Sequence, residues 1–132
     1  MAGTFEFGHL FRSPTYPVIL DVDGSLIAAK SPIELARKLA RLQLPAERRY
    51  PAVAVNGENW ELNTYVDEAI LSPTLMKRRW TKLDVVRLYN QRKNRRRGEQ
   101  PYSEKSLSSK RVDRVIGEIV EFLLDTPDPG EV

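Results

Sequence analysis

Two apolar runs, Val18-Ile19-Leu20-Asp21-Val22 and Ser25-Leu26-Ile27-Ala28-Ala29, flank Asp23-Gly24, and this pattern predicts a β-hairpin. Asp and Gly tolerate the positive φ that both central residues of a type I′ turn require. A two-residue turn sets Val22 opposite Ser25, Leu20 opposite Ile27 and Val18 opposite Ala29. Those pairs then share one apolar face, the core side. Thr4 to Phe7 alternates like a short strand ended by Gly8, and a loop with Pro14 and Pro17 follows.

The period then changes to that of a helix. Ser31 is the expected N-cap, Pro32 fits the first helical position and Glu34 completes a capping box. Leu35, Leu39 and Leu42 form the buried stripe, Arg37, Lys38 and Arg41 face water, and Leu44-Pro45 ends the helix. A second hairpin is expected from Ala52-Val53-Ala54-Val55, the turn Asn56-Gly57 and Glu58 to Leu62, with Val53 opposite Trp60 and with Val55 and Leu62 on that face.

Three helical stretches follow. Ser72-Pro73-Thr74 caps one expected to reach Arg79. Thr81 with Asp84 is a second capping box, with Trp80 stapled onto Val85, for a helix carrying Leu83, Val86, Leu88 and Tyr89 inward to about Arg92. Residues 108–124 have the strongest amphipathic pattern, with Val112, Val115, Ile116, Ile119, Val120 and Leu123 on one stripe.

The expected fold class is therefore α+β: two antiparallel β-hairpins with a packed helix, followed by C-terminal helices. Residues 1–132 form a single domain. Within it lie a hairpin-helix-hairpin layer at 18–62, a basic helical part at 72–124 and a frayed acidic tail at 125–132.

Two resemblances attach to these elements. VILDVDGSL, Val18 to Leu26, resembles the first motif of the haloacid dehalogenase phosphatases. The resemblance implies that Asp21 is a phosphoryl-accepting nucleophile and Asp23 a general acid/base beside Mg²⁺, with Ser25 where Thr is usual. The competing reading is a plain Asp-Gly hairpin, favoured because strand character resumes at Leu26. The order hairpin, helix, hairpin over Val18 to Leu62 also resembles the start of a β-grasp fold. VAVNGENW is similar to the strand-turn-strand of the small sulfur carriers, which implies a shape and no chemistry, since the chain does not end in Gly-Gly.

Composition narrows the chemistry. With no cysteine there are no disulfides, thiolate nucleophiles or Cys-ligated metals. The single histidine, His9, is expected to be an ordinary surface or turn residue, because a site needs convergent partners. Neither metal, cofactor nor catalytic residue is expected, and the protein is read as not an enzyme. No apolar run approaches the roughly 18–20 residues of a membrane span, and Met1 to Leu10 do not read as a secretory signal. The expected compartment is the cytoplasm, with no membrane partner.

Charge changes the picture most. Between Lys77 and Arg114 fourteen Lys and Arg stand against four acids, a net +10 in a chain that totals +3. The rest of the chain is acidic. Such asymmetry suits an anionic partner, most often nucleic acid. The candidate nucleic-acid-binding residues are Lys77, Arg78, Arg79, Arg92, Lys93, Arg95, Arg96, Arg97, Tyr102, Lys110, Arg111 and Arg114. Arginine forks pair with phosphates, and a loop aromatic such as Tyr102 can stack on an unpaired base. Two plainer explanations compete. The helix macrodipole alone attracts Arg92 and Lys93, and the chain's own acids could neutralise the block.

The expected function is a small non-catalytic nucleic-acid-binding or regulatory accessory protein contacting phosphate backbone, DNA or RNA. The alternative is a protein–protein interaction adaptor binding an acidic protein, or a homodimeric scaffold joined through the last helix. A haloacid-dehalogenase-like phosphatase is the more distant alternative.

Overall fold

The computed structural model describes residues 4–75 and 78–125. Lys77 and residues 126–132 of the acidic tail lie outside the described residues. At Asp23-Gly24 both residues have positive φ, +52° and +96°, and the turn joins β2 (Val18–Val22) to β3 (Ser25–Ala29). The register is the expected one, Val22 opposite Ser25 and Val18 opposite Ala29. Asp21 Oδ1 accepts from the Gly24 N–H at 2.8 Å, so this carboxylate closes the turn. A strand, not a helix, follows Gly24.

Ser31 accepts from the Glu34 N–H at 3.1 Å and starts α1 (Pro32–Leu42), whose Leu35 and Leu39 are buried. The Glu34 carboxylate reaches the N–H of Lys30 rather than of Ser31, one residue short of the reciprocal box. β4 (Arg49–Ala54) and β5 (Asn59–Tyr65) form the second hairpin, shifted by one residue from the expectation. Ala52, not Val53, lies opposite Trp60. The Ala54 C=O accepts from Gly57 and the Ala54 N–H donates to the Glu58 C=O, which leaves a three-residue loop. Among Val55, Asn56 and Gly57 only Gly57 has positive φ, +84°. This is the type I turn with a glycine bulge, and the extra residue turns Val53 to the opposite face.

The expected helix after Ser72-Pro73 does not form in the described part of 74–79. Ser72 and Pro73 instead end β6 (Glu68–Pro73), which folds back on β5 around Val66-Asp67, with Asp67 at φ +54°. β1 (Glu6–His9), two residues later than the expected Thr4–Phe7, lies parallel to β6. The result is one six-stranded mixed sheet in the order β1-β6-β5-β4-β2-β3. His9 is half-buried there, its Nε2 2.8 Å from the Tyr16 hydroxyl.

Thr81 accepts from the Asp84 N–H, Asp84 reaches back to Thr81, and this capping box opens α2 (Lys82–Asn90). Its deepest residues are Val85, Val86 and Tyr89, with Leu83 and Leu88 only half-buried. The last helix begins later than expected. A 3₁₀ turn at Leu107–Ser109 and extended Lys110 and Arg111 precede α3 (Val112–Leu124). Lys82 Nζ donates to the carbonyls of Leu107 and Lys110 at 2.6 and 2.7 Å and holds that break in place.

The two sheet faces carry separate cores. Val18, Leu20, Ile27, Ala52, Trp60, Leu62 and Leu71 pack with Leu35 and Leu39 of α1. On the opposite face Ile19, Leu26, Ala28 and Val53 pack with Val85, Val86, Ile116, Ile119 and Val120. The apolar stripe of α3 is therefore spent inside the protein, against β3 and α2. The architecture is α+β, helices on both faces of a mixed sheet. Among the described residues no helix is long and apolar enough to cross a membrane.

Candidate nucleic-acid interface

The basic loop 93–105 begins where α2 ends, and polar side chains fix both ends of it. Asn90 donates to the Tyr102 C=O at 3.0 Å and accepts from the Tyr102 N–H at 2.8 Å. Asn94 does the same for Leu26, at 2.9 Å in both directions, and so satisfies the outer edge of β3. The Lys93 N–H donates to the Gly24 C=O at 2.8 Å. An exposed strand edge is thereby closed and a charged loop is tethered by the same bonds.

Arg92 is the keystone of the loop and not a surface cation. Its side chain is fully buried, stacked 4.0 Å from the centre of the Tyr89 ring. One nitrogen donates to the Tyr89 C=O at 2.9 Å and the other spans both Glu99 carboxylate oxygens at 2.6 and 2.7 Å. Burial pushes the Glu99 carboxyl up, but the Arg92 and Tyr89 hydrogen bonds outweigh it and hold it below its ordinary range. Buried charge needs this degree of pairing.

The remaining candidates divide between bracing and display. Arg95 braces, donating to the Asn90 and Glu99 carbonyls at 3.1 Å each. Arg96 bonds the Asp125 carbonyl at the end of α3. Lys110 donates to the Tyr102 hydroxyl at 3.0 Å and to Glu118 at 3.2 Å, and Tyr102 donates to the same carboxylate. Burial raises the Glu118 carboxyl, yet Lys110 and Tyr102 carry it below its usual value. Arg114 stands 3.6 Å from Glu118, and Arg111, 89% exposed, 3.6 Å from Asp113. Arg97 is exposed and has no side-chain partner among the described residues.

Arg96, Arg97, Tyr102 and Lys110 converge on one cleft of about 670 Å³ between the loop and α3. Arg78 and Arg79 do not join them. They lie beside the β4–β5 turn, where Arg79 donates to the Asn56 C=O at 3.2 Å and the Arg78 C=O accepts from Asn59. Lys93 is elsewhere again, its methylenes over Gly24. Among the described residues the linear block is thus spread over separate places, and the cleft is the one with the form of a site.

The residues of that cleft absent from the sequence-based candidates include Lys105 and Phe122, with the acids Glu99 and Glu118. Phe122 had a legible signal, being a large aromatic off the apolar stripe of α3, and it is 46% exposed. Its ring meets Tyr102 edge-on at 6.4 Å and tilts against Tyr89 at 6.2 Å. Among the described residues no group of three or more His, Asp or Glu could hold a metal ion. No family model, curated protein or solved structure matches this chain.

Proposed function

We propose that this chain is a cytoplasmic, non-catalytic nucleic-acid-binding or regulatory accessory protein that meets phosphates with the loop 93–105 and the start of α3. The division of labour among the cations supports this reading. Arg92, Arg95 and Lys82 are spent on holding the loop, while Arg97, Lys105, Arg111 and Arg114 project from the frame they hold. A merely solvated charge run needs no such frame. A loop backbone already held in place loses less entropy when its exposed cations pair with a partner.

The test is binding of the full chain to labelled single-stranded and duplex DNA and RNA across roughly 50–200 mM salt. A log–log slope of about −0.9 per phosphate on duplex DNA supports the proposal. Salt-independent binding, or none, overturns it.

The adaptor reading has one observation of its own. Phe11 sits at φ +70°, strained for an aromatic residue, with its side chain 87% exposed beside exposed Leu10. A dimer in light scattering that Phe11→Ser dissociates would favour the homodimeric scaffold.

A further inference from the structure

We propose that the cleft between the loop 96–105 and α3 takes one unpaired nucleotide, so that the protein prefers single strands to duplex. This deepens the nucleic-acid reading and rests on it. The cleft's volume, about 670 Å³, lies within the roughly 300–1,000 Å³ usual for small-ligand sites. Three rings line it, Tyr89, Tyr102 and Phe122, and Phe122 sits between the other two. A base in a duplex shows its edges in a groove and hides its faces. Only an unpaired base can present a face to rings inside a cleft.

The electrostatics of the cleft fit a nucleotide and not a neutral aromatic ligand. Seven cations line it or pair with a group that does: Arg92, Arg95, Arg96, Arg97, Lys105, Lys110 and Arg114. Three carboxylates also line it. Glu99 is held by Arg92 and Glu118 by Lys110 and Tyr102, which leaves Asp125, exposed at the end of α3, as the one acid facing the cations without a side-chain partner among the described residues. Arg97 and Lys105 are exposed, and neither has a side-chain partner among the described residues. Apolar rings with free cations beside them are the arrangement of single-strand binding sites.

The rings are also pre-positioned. Tyr102 is pinned at its backbone by Asn90 and at its hydroxyl by Lys110 and Glu118, and Phe122 stands on a helix whose apolar stripe is buried. A base therefore meets surfaces already fixed in orientation, which is where stacking contributes most.

The test uses the full chain and a 15-nucleotide single strand carrying 2-aminopurine, compared with its duplex at fixed salt. The single strand should bind more tightly by roughly 5- to 150-fold, the range for one stacked base, with 2-aminopurine fluorescence quenched. Phe122→Ala should collapse that ratio, and Phe122→Tyr, which keeps the ring, should retain it. Salt-dependent binding with equal affinity for both forms overturns this inference alone. So does an unchanged ratio in a folded Phe122→Ala variant. Failure to bind either form overturns the nucleic-acid reading as well.

Discussion

In the sheet, side chains are placed by strand alternation, and in the basic half they are placed by polar bonds between residues far apart in sequence. Leu20 and Ile27 reach the core because a two-residue turn and a period of two leave them no other face. Tyr102 reaches its cleft because Asn90, Lys110 and Glu118 hold it there. Charge is treated differently too. The Arg12–Glu58 pair beside Trp60 leaves its arginine half exposed, whereas Arg92 in the loop is wholly buried against Glu99. A dense basic run can therefore be a built object, held by a few of its own cations while the others stay free.

That contrast can be broken most sharply in the two cores, one on each face of the sheet. Leu62→Ala under the sheet and Ile116→Ala in α3 should each cost about 2–5 kcal/mol, since both are fully buried in their clusters. Chemical denaturation checks this, and a cost below about 1 kcal/mol for Ile116→Ala would mean that α3 is not part of one cooperative unit. Next in size is Arg92→Ala, which strands the mostly buried Glu99 and should cost about 3 kcal/mol. Arg92 and Glu99 replaced together by Met should recover much of that loss. A Glu99→Met variant as stable as the parent would instead show that the loop does not depend on the pair.

Thr81→Ala removes one half of a formed capping box and should cost about 0.5–2 kcal/mol in a thermal melt. An unchanged midpoint would mean that packing of Val85 and Val86 alone starts α2.

The smallest effect separates the two halves by pH. Burial lowers the His9 imidazole below its ordinary 6.5, so its neutral form contributes stability that is full above 6.5 and is lost as pH falls toward the folded value. Glu99 and Glu118 lie below their ordinary 4.5, so their contribution is full above 4.5 and is lost only below it. The protection of amides near β1, relative to the intrinsic exchange rate at each pH, should therefore fall between pH 7 and 5, before any change in the loop. His9→Gln should remove that first step. Loosening of the loop first would contradict the assignment.

Where local chemistry decides the structure, the sequence was readable. The Asp23-Gly24 register, the Ser31 and Thr81 caps and the buried stripe of α3 all follow from neighbours within a few residues. Asn56-Gly57 was ambiguous because the same dipeptide fits a type I′ turn or a type I turn with a glycine bulge. Here the Gly57 C=O accepts from the Trp80 N–H at 2.8 Å, a contact 23 positions away. β6 was hidden because its turn, Val66-Asp67, contains no glycine, proline or asparagine and relies on Asp67 at positive φ. The candidate cleft was half legible. Arg96 and Arg97 stood in one run, but Glu118 and Phe122 join them from α3, Glu118 meeting the Tyr102 hydroxyl from 16 positions away, a contact that no local pattern announces.

The most direct measurement is the salt slope of nucleic-acid binding for the parent and for Arg97→Ala/Lys105→Ala. These two cations brace nothing in the loop, whereas Arg95 and Arg96 do. The slope should become shallower by up to about 2, with affinity lowered alike for all sequences and the melting midpoint unchanged. An unchanged slope, or a variant that binds normally but loses stability, would contradict the account.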